Sequence, residues 1–303
     1  MNEVAPKISV IVPHYDDLAG LDACLNALCA QKGIAGDDYE IIVSDNLSPV
    51  GMEEVSKVVA GRAKLIEAAE RGAGPARNAA VAHARGSVLA FTDSDCLPSP
   101  VWLSHGVACV APMRIVGGAM RVSVENEAKL TGAEAFERVF AFNNEKYVTK
   151  MGFSVTANLF CMTDDFRKVG PFKVDVSEDK EWCLRARRCG LDIAYAPEAV
   201  VAHPARRDWD ALRKKWSRLD REAFHLAREE AGGGLNWWLR SLLLPLSIGP
   251  HAIRCFGSGA LSGASTRFRA VTTLARLRLW RFAECQKLVI SQIFAGSVQK
   301  RGK

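Results

Sequence analysis

Apolar residues fall in short runs through the first hundred positions and spread into longer periodic stripes after position 204. "KISVIVPHY" (7–15) is a β-branched run closed by a proline, the pattern of a buried parallel strand. "LDACLNALCAQ" (21–31) repeats Leu21, Cys24, Leu25 and Leu28 at helical spacing. "YEIIVSDN" (39–46) predicts a second strand ending in Asp45. Residues 52–60 predict a helix and "AKLIEA" a third strand. "GPARNAAVAHAR" (74–85) predicts an Ala-rich helix with Pro75 in its first turn, and "SVLAFTDSD" a fourth strand. Strand and helix in alternation predict an α/β fold: a mainly parallel sheet with helices on both faces.

The middle of the chain is less regular. "MRIVGGAMRVSV" (113–124) predicts one or two strands around Gly117 and Gly118, and residues 132–148 a helix. "SEDKEWCLRARRCG" (177–190) predicts an acidic turn and a helix ending at Gly190. "DIAYAPEAVVAHP" (192–204) predicts strand, turn, strand. In 208–230 the residues Trp209, Leu212, Trp216, Leu219, Ala223 and Leu226 form an apolar stripe. Gly232, Gly233 and Gly234 then break the helix. Only 13 uncharged residues, Pro245 and Pro250 among them, lie between Arg240 and Arg254. That is short of the roughly 20 a spanning helix needs. A last helix over about 267–295 interleaves Arg267, Arg269, Arg276, Arg278 and Arg281 with Phe268, Leu274, Trp280 and Phe282, a mixture suited to a membrane surface. The expected division is an α/β domain over 1–207 and a basic amphipathic helical region over 208–303.

Charge sharpens that division. The net charge of +6 is the sum of −6 over residues 1–203 (21 Lys+Arg, 27 Asp+Glu) and +12 over residues 204–303 (19 and 7). Basic regions meet phosphates, of nucleic acid or of anionic lipid. The nine cysteines form no C-x-x-C pair, which points to reduced thiols without a zinc site and to a cytosolic setting. "MNEVAPK" is short and polar, and no signal peptide is expected. No G-x-G-x-x-G follows the first strand, which argues against a dinucleotide-binding oxidoreductase.

Ligands of parallel sheets bind beyond the carboxyl ends of the strands. Asp45, Asp93 and Asp95 all lie at such ends, as do His14 and Tyr15. Hard divalent cations favour oxygen ligands, and Mg²⁺ is often held by one or two carboxylates together with substrate phosphates.

The ordered set "ISVIVPHY … EIIVSDN … GPARNAAVAHARGSVLAFTDSDCLPSPVW … SEDKEWCLRARRCGLDIAYAPEAVVAHP" resembles family 2 glycosyltransferases with the GT-A fold, over about residues 7–204. The resemblance implies that Asp45 recognises the nucleotide base, a carboxylate suiting the N–H edge of uracil or guanine, with uracil preferred. Asn46, Leu47 and Ser48 depart from the family's usual Asp-Gly-Ser continuation. Pro13 and Tyr15 match the first-strand motif, and Arg77 and Asn78 the "ARN" motif near the nucleotide. Asp93 and Asp95 match the metal motif, Asp95 on the cation and Asp93 on ribose or on metal through water. His203 stands where a histidine can complete the metal or diphosphate site. Glu178 and Asp179 match the catalytic acidic pair, with Asp179 as general base. The alternative for that pair is an ordinary helix N-terminal cluster. Asn158 and Trp182 are candidates for the sugar and acceptor pockets, and Trp182 suits a core helix equally.

The expected function is metal-dependent, inverting transfer of one sugar from a nucleotide-diphosphate sugar, UDP-linked by preference, using Mg²⁺ or Mn²⁺. The acceptor would be a lipid-linked or envelope polysaccharide hydroxyl at the cytoplasmic face of an inner membrane, the basic tail resting on anionic lipid. The nearest echo of the processive Q-x-x-R-W motif, Leu212 to Trp216, lacks the Gln, and Lys stands for its Arg. Single-sugar transfer is therefore expected. Two other classes compete: a catalytically inactive binding or scaffold protein of the same fold recruited to the membrane, and nucleic-acid binding through the tail. The apolar length of 235–250 fits lipid better than nucleic acid.

Overall fold

The computed structural model describes residues 6–174, 176–228 and 232–301, with side chains described as far as Ser291. Residues 229 and 230, the end of the expected 208–230 helix, lie outside them. The strands are β1 (Ile8–His14), β2 (Tyr39–Asp45), β3 (Lys64–Glu67), β4 (Val88–Phe91), β5 (Leu97–Pro98), β6 (Arg114–Ser123), β7 (Leu159–Met162) and β8 (Asp192–Pro204). They form one mixed sheet in the order β3-β2-β1-β4-β7-β6-β8-β5. β1 to β4 run parallel, while β7 lies antiparallel between β4 and β6. The helices are α1 (Leu18–Cys29), α2 (Met52–Val59), α3 (Ala73–Ala82), α4 (Trp102–Ala108), α5 (Gly132–Phe140), α6 (Asn144–Lys146), α7 (Thr163–Val169), α8 (Glu178–Arg188), α9 (Trp209–Arg228), α10 (Gly233–Leu242), α11 (Ile248–Gly257) and α12 (Ala264–Arg301).

The residues cluster into two compact units. One holds the sheet: Met1–Ser123, Phe142–Val174 and Glu178–Pro204. The other holds Val124–Ala141, Asp175–Ser177 and Ala205–Lys303. Residues 124–141, inside the amino-terminal part of the sequence, thus cluster with the carboxyl-terminal helices.

The sheet is covered on both faces because successive strand residues point to opposite sides. Ile8, Val10 and Val12 of β1 join a core with Leu21, Leu25 and Leu28 of α1, Val55 of α2 and Trp102 of α4. Ile11 of the same strand joins the opposite core with Ala80 of α3, Phe166 of α7 and Trp182 of α8. Each fully buried large apolar side chain contributes about 1.5–3 kcal/mol. Burial on both faces explains why β4 reads as an unbroken apolar run and the apolar run of β1 is interrupted only by Ser9 before Pro13.

Three stretches depart from expectation. Residues 192–204 are one strand rather than two. β8 carries extra residues opposite a register shift between Gly118 and Ala119 of β6. The 132–148 helix breaks: α5 stops at Phe140, and Phe142 takes a φ of 50° before α6 begins. The break coincides with the passage of the chain from one unit to the other. The fourth strand ends at Phe91, so the aspartates after it lie in a turn closed by Cys96 N–H donating to the Asp93 carbonyl at 3.0 Å.

The helical unit has its own core of Phe136 and Val139 from α5, Leu212 from α9, Cys255 from α11, and Leu274 and Leu277 from α12. Its buried charges are paired. Glu137 accepts from Lys215 Nζ at 2.5 Å and from the Arg206 backbone at 2.7 Å. Asp220 accepts from Arg281, whose guanidinium lies 3.9 Å over the Trp216 ring. No described helix is long and apolar enough to cross a membrane.

Candidate active site

The carboxyl edge of β1, β2 and β4 gathers most of the expected polar residues, but it uses them differently. Asp45 closes β2 and is 1% exposed. Its Oδ1 lies 2.8 Å from His14 Nδ1 and accepts from Ser48 Oγ at 2.5 Å, and its Oδ2 accepts from Ser48 N at 3.0 Å. The Asp17 backbone N–H donates to His14 Nε2 at 3.3 Å, so Nδ1 carries the ring proton and donates to Asp45. This corrects the expected role of Asp45. Its oxygens are taken by His14 and Ser48, and it presents no carboxylate to a base edge. The preference for uracil, which rested on that edge, loses its support. The carboxylate ties two loops together instead, since Ser48 Oγ also accepts from Asp16 N at 2.8 Å. Asn46 continues the task, accepting from Gly72 N at 2.8 Å and donating to Glu70 O at 2.7 Å just before α3. A Ser three positions after an Asp is a turn signal that the sequence did offer. At the end of β1, Pro13 is half-buried and Tyr15 is 52% exposed.

On the next strand the charges converge. Arg77 of α3 is 3% exposed and lies between two carboxylates. Its Nη2 donates to Asp93 Oδ1 at 2.5 Å, and its Nη1 to Glu178 Oε1 at 2.9 Å. Burial pulls its pKa down, but Asp93 and Glu178 outweigh that and hold it above its ordinary value. The close approach of α3 to the segment before α8 needs Gly74. A Cβ there would stand 3.2 Å from the Lys173 carbonyl and 3.8 Å from Glu178 Cβ. Asp179 follows Glu178 in the first turn of α8 and accepts from Lys180 N at 2.6 Å.

Asp95 meets the end of β8, where His203 Nε2 is 3.5 Å from Asp95 Oδ2. His203 Nδ1 lies 2.9 Å from the Pro204 carbonyl, which only accepts, so Nδ1 carries a proton, and in the neutral ring the Nε2 lone pair faces Asp95. Two acceptors facing each other repel unless a proton or a cation lies between them. Neighbouring donors of an octahedral Mg²⁺ with bonds of about 2.1 Å stand about 3 Å apart, so this pair suits such an ion. Among the described residues the ligand atoms of Asp95, Cys96 and His203 lie within 4.8 Å of one another. Burial, then the charges of Asp93 and Asp95, push the Cys96 thiol well above its usual value. A hard cation draws on the oxygen and the nitrogen of this set rather than on sulfur. The ring of His203 is steadied by Phe142, centroid to centroid 4.5 Å. Neither Cys96 nor Phe142 stood out in the sequence.

Three further expectations are corrected. Both groups of the Asn78 amide bond the Phe172 backbone, at 2.9 Å each, so they fix a loop rather than face a nucleotide. Asn158 is fully buried. It accepts from Trp102 Nε1 and donates to the Ala119 and Ala199 carbonyls, all at 2.9 Å. It pins the β6–β8 bulge and touches no sugar site. Gly118 is required beside it, because a Cβ would fall 2.4 Å from both Ala199 O and Asn158 Oδ1. Trp182 is core, stacked on Phe166 and donating to the Gly170 carbonyl at 2.9 Å.

This fold and this gathering of acidic residues at a sheet edge belong to a known class of transferase. The sequence model of glycosyl transferase family 2 matches residues 9–174, and the chain belongs to that family; it is a glycosyltransferase. It is 31% identical over 227 residues to glycosyltransferase AglE of Haloferax volcanii, covering 71% of this chain and 73% of that one. It is 24% identical to the pre-mycofactocin glycosyltransferase of Mycobacterium tuberculosis, covering 91% of this chain and 62% of that one. In fold it is similar to mannosyltransferase PcManGT from Pyrobaculum calidifontis, solved with GDP-Man and Mn²⁺. The TM-score is 0.61 at 19% identity, over 93% of this chain and 87% of that one. The mixed sheet is thus that of GT-A enzymes, with a helical region at the carboxyl end.

Proposed function

We propose that this glycosyltransferase moves one sugar from a nucleotide-diphosphate sugar to an acceptor hydroxyl with inversion. The observation that carries the reading is the chain Asp95, Asp93, Arg77, Glu178, Asp179, in which one buried arginine holds the metal-motif loop and the start of α8 together. Asp179 is the general base. It takes the proton of the acceptor hydroxyl as that oxygen bonds the anomeric carbon, and the bond from that carbon to the diphosphate breaks, its electron pair leaving with the diphosphate. Its place in the first turn of α8 favours the anion it needs to be. Asp95 and His203 are the residues to hold Mg²⁺ or Mn²⁺, which when bound neutralises charge on the leaving diphosphate. Lys215 and Trp216, the remnant of the processive motif, are engaged by Glu137 and Arg281, in keeping with single transfer. The acceptor, a lipid-linked or envelope glycan, is supported by the basic helical region.

A panel of UDP- and GDP-sugars with Mg²⁺ or Mn²⁺, scored for nucleoside diphosphate release and product size, tests this. Asp179→Asn is expected to lower turnover by roughly 10²–10⁴, and Asp95→Ala to abolish metal-stimulated turnover, both with unchanged circular dichroism. Near-normal turnover in both variants rejects the assignment, and a ladder of long products rejects single transfer.

A further inference from the structure

α10 carries large apolar side chains on its exposed side. Along α10 and the turn after it, Leu235, Leu239, Leu243 and Leu246 are all exposed, Leu246 to 75%. Leu235, Leu239 and Leu243 recur every four residues, on one side of α10 and its cap, and Leu246 follows in the turn. Two polar groups of α10 turn the other way. Ser241 is buried and accepts from Gln286 of α12 at 3.0 Å, while Trp238 Nε1 donates to Gln286 Oε1 at 2.7 Å. A helix facing water does the reverse. α11 repeats the pattern, with Cys255 inward and Ile253 (74% exposed) and Phe256 outward. An apolar set of this size on a water-exposed face marks a contact surface.

Charge identifies the partner. Residues 232–283 contain seven arginines (240, 254, 267, 269, 276, 278 and 281) and no aspartate or glutamate, in a chain that has 34. Arg281 is taken by Asp220 and Arg276 lies over Trp209, but Arg240, between Leu239 and Leu243, is exposed, and so is Arg254, which also donates to the Val139 carbonyl at 3.0 Å. Leucines flanked by arginines without carboxylates match a bilayer whose acyl region takes the leucines and whose phosphates take the guanidinium groups. A second copy of the chain would bring like charges together, which disfavours self-association through this face.

We propose that α10, the following turn and α11 form a monotopic docking face for an anionic lipid bilayer. Binding is by insertion of the leucine side to interfacial depth, consistent with the lack of a described helix able to cross. The test is flotation of the full chain with vesicles of phosphatidylcholine, with and without phosphatidylglycerol. The expected result is binding roughly tenfold or more tighter to the anionic vesicles, weakening as salt rises. The double substitution Leu243→Ser, Leu246→Ser changes only exposed positions and is expected to weaken binding roughly tenfold or more. Arg240→Gln removes part of the anionic preference. Circular dichroism and donor turnover with a soluble acceptor are expected to stay at the wild-type level in these variants. That readout keeps failure of docking separate from failure of the catalytic assignment. Equal binding to both vesicles, undiminished flotation of the leucine variant, or its conversion of an oligomer to a monomer on a sizing column would each overturn the proposal.

Discussion

Arg77 is the residue on which the candidate site turns. It is a buried cation with two carboxylate partners from distant segments. Removing it would leave Asp93 and Glu178 facing each other unpaired, and breaking a buried pair of this kind costs about 3–5 kcal/mol. Asp45 is its counterpart among the anions, a buried carboxylate that fastens loops. Asp45→Ala is expected to strand His14 Nδ1–H and the Ser48 donors, at about 1–3 kcal/mol for each buried group left unpaired. A urea midpoint measures the loss, while the ratio of turnover with UDP- and GDP-sugars stays as in the wild type. A changed ratio with unchanged midpoint would restore Asp45 as a base reader. The sequence made the position of Asp45 legible, because an apolar run must end somewhere and carboxylates do not continue it. Its partner was not legible. Whether a strand-end carboxylate looks outward or inward depends on His14, a residue of another strand, and on the turn set by Ser48.

At the scale of elements, α8 shows how a helix start serves two ends. Glu178 meets Arg77 of the site, with Asp179 beside it in sequence, while Glu181 in the same turn is buried and bound by Arg185 and Lys173. Burial works to raise the Glu181 pKa, but these two partners hold it below its ordinary value of 4.5. A carboxyl whose folded pKa is depressed stabilises the fold above its unfolded pKa, and that stability is lost as pH falls through the folded value. Glu181→Gln is therefore expected to be less stable at neutral pH and to lose less on acidification below about pH 4.5. Thermal melts across that window check it, and parallel curves for both proteins would refute it. The parallel half of the sheet was readable element by element, since each strand there is a local apolar run. β7 and β5 were not. β7 is only four residues long and β5 two, and their places depend on pairing with strands far away in sequence. The break after α5 was hidden for a similar reason. Residues 132–148 keep helical periodicity, and at the interruption Phe142 takes a φ of 50° and meets His203, 61 positions later (203 − 142 = 61).

At the scale of the whole molecule, a cation held by Asp95 and His203 would bind the folded chain and not the unfolded one. At a hundredfold excess over its Kd, such an ion adds about 2.7 kcal/mol. Mn²⁺ is expected to raise the Tm of the wild type by a few degrees, and to leave Asp95→Ala and His203→Ala unmoved. An equal rise in all three proteins would place the ion elsewhere. The division of the chain also bears on how it is made. α5 belongs to the helical unit, and its Val139 shares a core with Leu274, 135 positions later (274 − 139 = 135). A ribosome adding about 5–20 residues per second needs on the order of ten seconds to cover that distance. Throughout that wait the core around Phe136 and Val139 lacks its α12 side, and the nascent chain offers chaperones a sticky helix. A deletion that ends the protein after the sheet unit would make that waiting state permanent.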